Sequence, residues 1–273
     1  MDFTEFKRRM LGQFRLDLQS YKENQLKRRL ESMMVRKKIA SFGELYKLLT
    51  EDRMAYETFL DQLTINVSEF FRDPQRWNDI QKTILPALLQ NRSTLKIWSA
   101  ACSNGPEPYS LAILLDEMTH GKMHRLDASD IDKNILSAAA IGKYNQDMVR
   151  NVSQQRLQKY FTREGNYYLV NDAIKKRVNF KRHDLLIEPY GQGYDLIVCR
   201  NVTIYFTREA QDRINVKFTQ ALTAGGIFFI GGSEMIFNYQ ELGLEKVLPC
   251  FYRKVAKGGD ITSENKIRVR GIA

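Results

Sequence analysis

The sequence predicts an α/β protein, a doubly wound parallel sheet with a small helical domain before it and a small antiparallel β insertion within it. Three observations lead there. Residues 1–63 place apolar side chains at helical spacing (Leu26, Leu30, Met33 and Met34, then Leu45, Leu48 and Leu49) and hold no convincing strand. From residue 94 onward, strand-like runs alternate with helical patterns, which argues for parallel strands covered by helices on both faces. Lastly, 273 residues of 43% hydrophobic content can bury one large core plus a satellite domain, which excludes a disordered chain.

In chain order, the helical domain is followed by a connecting segment, 64–93, whose start reads "TINVSEFFRDPQRW". It lacks glycine and carries aromatic residues that need burial, so it is expected to pack against the site rather than swing freely. The α/β domain is expected to span 94–258, with strands in "TLKIWSA", "MHRLDASDID", "RVNFKRHDLL", "YDLIVCRNV", "GGIFFIGGSE" and, late, "VLPCFYRKV". The insertion is placed near 160–180, where Tyr-rich halves flank Glu164, Gly165 and Asn166 as in a hairpin. Residues 259–273 read as a poorly ordered tail.

Composition narrows the function. No run of eighteen uncharged apolar residues and no secretory signal are found, so a soluble cytoplasmic protein is expected, without membrane insertion. Cys102, Cys199 and Cys250 are far apart, and His120, His124 and His183 form no cluster, so the cysteines read as small hydrophobes and no metal site is expected. The net charge of +10 favours an anionic partner: nucleic acid, a membrane surface or an acidic protein.

In open α/β sheets, ligands sit beyond the carboxyl ends of the strands. After the first strand comes a loop with one glycine, Gly105, which allows close backbone approach, and then Glu107 in the first helical turn. Asp130 follows the second strand at about the spacing where an acidic residue grips a ribose diol. Asp184 follows the third, and Arg200 and Asn201 the fourth. Glu107 sits where a pyrophosphate would need donors, so this set suits a nucleoside with a cationic tail. S-adenosylmethionine is the common cofactor of that description.

Five motifs in register, "TINVSEFFRD", "IWSAACSNGPEPYSLAILL", "ASDID", "VCRNVTIYF" and "GGIFFIGGSE", resemble the chemotaxis receptor glutamate methyltransferases, the CheR family, over nearly the whole chain. The resemblance implies a Rossmann-like S-adenosylmethionine-dependent methyltransferase domain behind a helical domain. It also implies methyl-esterification of glutamates on the cytoplasmic helices of chemoreceptors. Carried over by position, cofactor contacts fall on Asn66, Ser68, Arg72, Glu107, Asp130, Asp184, Leu185, Arg200 and Asn201. Three departures stand out: Ile-Asn-Val-Ser replaces Thr-Asn-x-Thr and keeps a hydroxyl at Ser68; Gly105-Pro106-Glu107 replaces Gly-Glu-Glu; and Gly231-Gly232-Ser233-Glu234 lacks the family's histidine.

A glutamate carboxylate is ionised at neutral pH, its unperturbed pKa being about 4.3, so such a reaction needs positioning and desolvation rather than a general base. Arg72 is a candidate to hold either the acceptor carboxylate or the cofactor's own, and Tyr205 either orients a substrate oxygen or is structural. Lys22, Arg29 and Arg36 recur every seven residues and form a ridge if the helix runs through Arg36. Members of the family meet the acidic methylation region of the receptor coiled coil with a basic N-terminal helix, and the resemblance implies that this ridge is its counterpart.

The β turn "REGNYY" looks shorter than in members that dock a receptor peptide, so no such tether is expected. A nucleic-acid methyltransferase is the first rival. However, it usually places an Asn/Asp-Pro-Pro-aromatic loop after the fourth strand, where this chain reads "RNVTIYF", and no stable nucleic-acid binding is expected. A non-catalytic receptor-binding adaptor is the second. A monomer is expected, since no heptad or exposed apolar stripe is evident.

Overall fold

The computed structural model describes residues 1–64, 68–90 and 92–256; Asn66 and the expected tail lie outside them. Local sequence sets the helical domain. Asp2 caps α1 (Phe3–Phe14) by accepting from the Glu5 N–H, and the basic stretch forms α2 (Glu23–Lys37). Ser41 and Asp52 cap α3 (Phe42–Glu51) and α4 (Arg53–Leu63) in the same way. Phe6, Met10, Leu30, Met33, Leu45, Leu49 and Phe59 close a core of their own. The connecting segment then forms α5 (Pro74–Asp79), a π turn and α6 (Leu85–Leu89), and it buries Phe70, Phe71 and Trp77 against the main core as its aromatic content requires.

The α/β domain follows with β1 (Lys96–Ala100), α7 (Pro106–Thr119), β2 (Arg125–Asp130) and α8 (Lys133–Ile141). Then come β3 (Lys143–Asn145), α9 (Gln154–Tyr160), β4 (Phe161–Glu164), β5 (Tyr167–Val170) and α10 (Asp172–Lys175). Finally β6 (Val178–Arg182), β7 (Tyr194–Cys199), α11 (Arg208–Ala221), β8 (Leu222–Ile230), β9 (Leu244–Leu248) and β10 (Phe251–Lys254) complete it. The seven-stranded sheet has the order β6-β2-β1-β7-β8-β10-β9.

Successive side chains of the central strands feed opposite cores. Ile97, Leu196, Val198 and Phe229 pack on the α7 side, while Trp98, Ile197, Cys199 and Phe228 pack on the α11 side. All six residues of β7 are buried, as expected of a strand covered on both faces.

Two expectations are corrected. The late run is two strands, because Cys250 (φ 72°) turns the chain, and β10 pairs antiparallel with both β8 and β9, making the sheet mixed. The insertion is three-stranded, in the order β3-β5-β4, and begins at Lys143; residues 178–180 belong to the main sheet. Lys143–Asn145 is too short to show a period of two, and only its pairing with β5 makes it a strand.

The helical domain is joined to the sheet by backbone. Tyr21 bridges Phe206 in antiparallel fashion, the Lys22 N–H donates to the Tyr205 carbonyl (2.9 Å) and the Thr207 N–H to the Ser20 carbonyl (2.8 Å).

Candidate functional site

From β1 the chain moves outward through β2 to β6, then returns to the other side of β1 as β7. Connections leaving β1 and β7 in opposite directions open a crevice at their carboxyl ends. A cavity of about 180 Å³ lies there, lined in part by Ser68, Arg72, Glu107, Asp130, Asp184, Leu185, Arg200, Asn201 and Tyr205. Residues spread over 138 positions of sequence thus meet because each ends a neighbouring strand or, at Ser68 and Arg72, belongs to the segment packed over them.

The loop after β1 bends through two left-handed residues, Ala101 (φ 57°) and Ser103 (φ 52°). This strain turns the Ser103 N–H onto Asp130 Oδ2 (2.9 Å), while Asp132 N–H donates to Oδ1 (3.2 Å). Burial pushes the Asp130 carboxyl up, and those backbone donors oppose the shift. Glu107 stands in the first turn of α7, where its Oε1 accepts from the Ser99 hydroxyl (2.8 Å) and its Oε2 lies 3.5 Å from Arg200 Nη1. Its carboxyl is also pushed up by burial, against the attraction of Arg200.

Asp184 is raised by burial too; its Oδ1 accepts from Leu186 N–H (2.8 Å), while its Oδ2 is buried without a protein partner. Ser103 Oγ and His183 Nδ1 are in the same condition.

Arg200 is 8% exposed and turned toward the protein. Besides Glu107 it reaches the Arg72 carbonyl through Nη2 (3.0 Å) and stacks over the Phe229 ring (4.6 Å). The same carbonyl accepts from Trp77 Nε1 (2.9 Å). Just before it, Phe71 (φ 52°) donates its N–H to Ser110 Oγ (3.1 Å), which in turn donates to the Pro106 carbonyl (2.7 Å). The backbone that presents Arg72 is therefore held from α7 and from β7 together.

Two expected positions read differently in the structure. Gly105 is not among the residues lining the cavity. It caps α7 at φ 94°, and an added Cβ would meet Ala139 Cβ, Tyr144 Oη and Tyr109 Cε2 at 3.1 to 3.2 Å, so the glycine serves the turn and its packing. The basic ridge is interrupted. Lys22 and Arg36 are exposed, but Arg29 is half-buried, donates to the Leu63 carbonyl and lies 5.5 Å over the Tyr205 ring.

Tyr21 was not anticipated at all: it lines the cavity from the helical domain, and burial, with Asp184 and Asp130 adding to it, raises its phenol. No local pattern marks it, since it reaches the site through pairing with Phe206, far along the chain. Among the described residues no group of three His, Cys, Asp or Glu is placed to hold a metal ion. No described helix is long and apolar enough to cross a membrane.

Comparison with known proteins agrees in both domains. Residues 66–249 match the family described as CheR methyltransferase, SAM binding domain, and residues 1–64 match CheR methyltransferase, all-alpha domain. The chain is 43% identical over 253 residues to a chemotaxis protein methyltransferase of Listeria monocytogenes, covering 92% of this chain and 95% of that one. It is 35% identical over 233 residues to chemotaxis protein methyltransferase 1 of Pseudomonas aeruginosa, covering 81% and 85%. With a chemotaxis protein methyltransferase of Borreliella burgdorferi it shares 31% identity over 255 residues, covering 88% and 89%.

Proposed function

Because the chain belongs to the CheR methyltransferase family, we propose that it methylates glutamate side chains on the cytoplasmic helices of chemoreceptors, leaving a glutamyl methyl ester and S-adenosylhomocysteine. It is an S-adenosylmethionine-dependent methyltransferase of chemotaxis; the acceptor and the residue roles are the proposed part.

The donor set of the cavity fits the cofactor. Three carboxylates, Glu107, Asp130 and Asp184, offer acceptors to an ammonium group and to hydroxyls. Asp184 Oδ2, Ser103 Oγ and His183 Nδ1 are buried polar atoms that a ligand would satisfy. Glu107 is assigned the ammonium and Asp130 the ribose diol, with Ser68, Asp184, Leu185 and Asn201 completing the contacts; Asn66 belongs to the same assignment by its place in the sequence. When bound, S-adenosylmethionine would supply an electrophilic methyl group on a cationic sulfonium to an acceptor oxygen, with S-adenosylhomocysteine as the leaving group.

The chain's part is placement. Arg200 fixes both the Glu107 carboxylate and the Arg72 backbone, so the end that holds the amino-acid tail and the end that meets the acceptor share one rigid brace. Arg72 holds a carboxylate at the mouth, and the Tyr205 hydroxyl orients the acceptor oxygen; neither has to take a proton. The convergence of Arg72 and Tyr205 on the cavity that holds the three carboxylates is the observation that best supports this reading; His183 also lines it, with its Nε2 3.2 Å from the Pro189 carbonyl and its imidazole pKa lowered by burial. Cys102 reaches the cavity, but burial drives its thiol well above the usual range, so it is kept protonated.

The exposed basic side chains Lys22 and Arg36 are proposed to meet the acidic face of the receptor coiled coil, and Arg29 to support Tyr205 instead. The enzyme is proposed to act as a monomer in the cytoplasm. Incubation with methyl-labelled S-adenosylmethionine and a receptor cytoplasmic fragment tests the reading. Label released as methanol by mild alkali is the expected result, and alkali-stable label would refute a carboxyl ester.

A further inference from the structure

We propose that Glu234 is a positioning residue for methyl transfer, its carboxylate acting as a fixed anion around which the loop after β7 is folded. The inference rests on the reading of that loop as the segment that carries Asn201 to the cofactor and Tyr205 to the acceptor. Glu234 itself does not line the cavity.

The geometry is that of an anion in a backbone nest. Oε1 accepts from the Val202 N–H (3.0 Å), the Thr203 N–H (2.9 Å) and the Thr203 hydroxyl (2.8 Å). Oε2 accepts from the Asn201 N–H (3.0 Å) and, across the turn after β8, from the Gly231 N–H (2.7 Å). Three consecutive backbone N–H groups pointing inward form a concavity that binds anions, and here the protein supplies its own. Each oxygen is used more than once, so an acceptor-only, charged group is required: an amide would direct its NH₂ at backbone donors.

The loop needs such a brace. Asn201 leaves β7 in the left-handed region (φ 60°), a conformation that costs a non-glycine residue energy and persists only when the surroundings impose it. Glu234 bonds to its N–H and to the two that follow, so Arg200, Asn201 and the short turn Thr203–Tyr205 hang from one carboxylate. Gly231 is small for the same reason. A Cβ there would stand 2.9 Å from Glu234 Oε2 and 3.0 Å from both the N and Nδ2 atoms of Asn201.

The test uses the full-length enzyme and begins with S-adenosylhomocysteine binding to the wild type. Absence of binding there would refute the cofactor reading and not this one. With wild-type binding in hand, Glu234→Ala vacates the nest. Turnover is expected to fall by about 100-fold, the scale of a displacement of about 1 Å in a reacting group.

Added formate or acetate, but not chloride at equal ionic strength, is expected to restore about tenfold or more by refilling the nest with a charge-assisted acceptor. A side chain of merely structural value would not answer to a small carboxylate in this saturable way. Should Glu234→Ala fail to fold, the isosteric Glu234→Gln decides, with a loss of similar size expected. Near-wild-type turnover in either variant, or a loss in a folded Glu234→Ala that neither carboxylate repairs, overturns the proposal.

Discussion

Replacing Glu107 with glutamine probes the centre of the assignment, because it removes charge and keeps shape. In the free protein Oε1 keeps a Ser99 donor at 2.8 Å, whereas Oε2 has only Arg200 Nη1 at 3.5 Å, long for a hydrogen bond. Oε2 therefore has capacity left for an ammonium group. A hydrogen bond to a charged group contributes about 1.5–3 kcal/mol, so Glu107→Gln should weaken S-adenosylhomocysteine by about 10- to 160-fold.

The variant also leaves Arg200 beside an amide, but because burial already raises the Glu107 carboxyl, the neutral side chain should leave folding stability close to that of the wild type. Calorimetric titration with two ligands tests the assignment. 5′-Methylthioadenosine lacks the amino-acid tail, so its affinity should be the same in wild type and variant. Equal losses for both ligands would refute the ammonium assignment and make Glu107 a structural partner of Arg200.

Burial raises the carboxyls of Glu107, Asp130 and Asp184, so the native state holds protons more tightly there than the unfolded chain. Their stabilising contribution is full below the ordinary carboxyl pKa of about 4 and is lost as pH rises through the raised values, and in that range binding of a cationic ligand should release protons. Titrations in buffers of different ionisation enthalpy would detect the release, and proton uptake would contradict it.

Gly105→Ala should cost about 1–2 kcal/mol for the left-handed backbone and about 1–3 more for overpacking against Tyr109, Tyr144 and Ala139, read by chemical denaturation. Reversing Lys22 and Arg36 to glutamate should raise the KM for receptor on the order of tenfold at low salt and less at high salt, with cofactor affinity unchanged. An effect independent of salt would argue against a surface contact. The turn between β4 and β5 spans only Gly165 and Asn166, and a free receptor C-terminal pentapeptide should show no measurable affinity; clear binding would overturn that expectation.

Much of the site was legible in the sequence because strand ends are. Strand-like runs ending near residues 100, 130, 182 and 199 mark the sheet, and the polar residues at or after each end lie at its edge, which placed Glu107, Asp130, Asp184, Arg200 and Asn201 together without coordinates. The same local logic gave Gly105 a role in the ligand site, whereas the structure shows it crowded by Tyr109 and by Tyr144 and Ala139, the last two 39 and 34 positions away and outside any local window. Arg29 fell on a regular heptad spacing, yet its charge is turned inward by a carbonyl on α4. Lys143–Asn145 became a strand only through its partner.

The sequence by itself determined the order of the elements, the alternation that buries two faces of the sheet, and the carboxylates that stand at the strand ends and line the cavity. These follow from period and residue chemistry, which a single segment carries. The tertiary structure alone decided that Tyr21 of the helical domain lines the cavity, that Arg200 braces Glu107 against Arg72, and that Glu234 gathers the backbone of 201–203. Each of these is a contact between segments, and the directional hydrogen bonds that make it exist only once the sheet has set their distance.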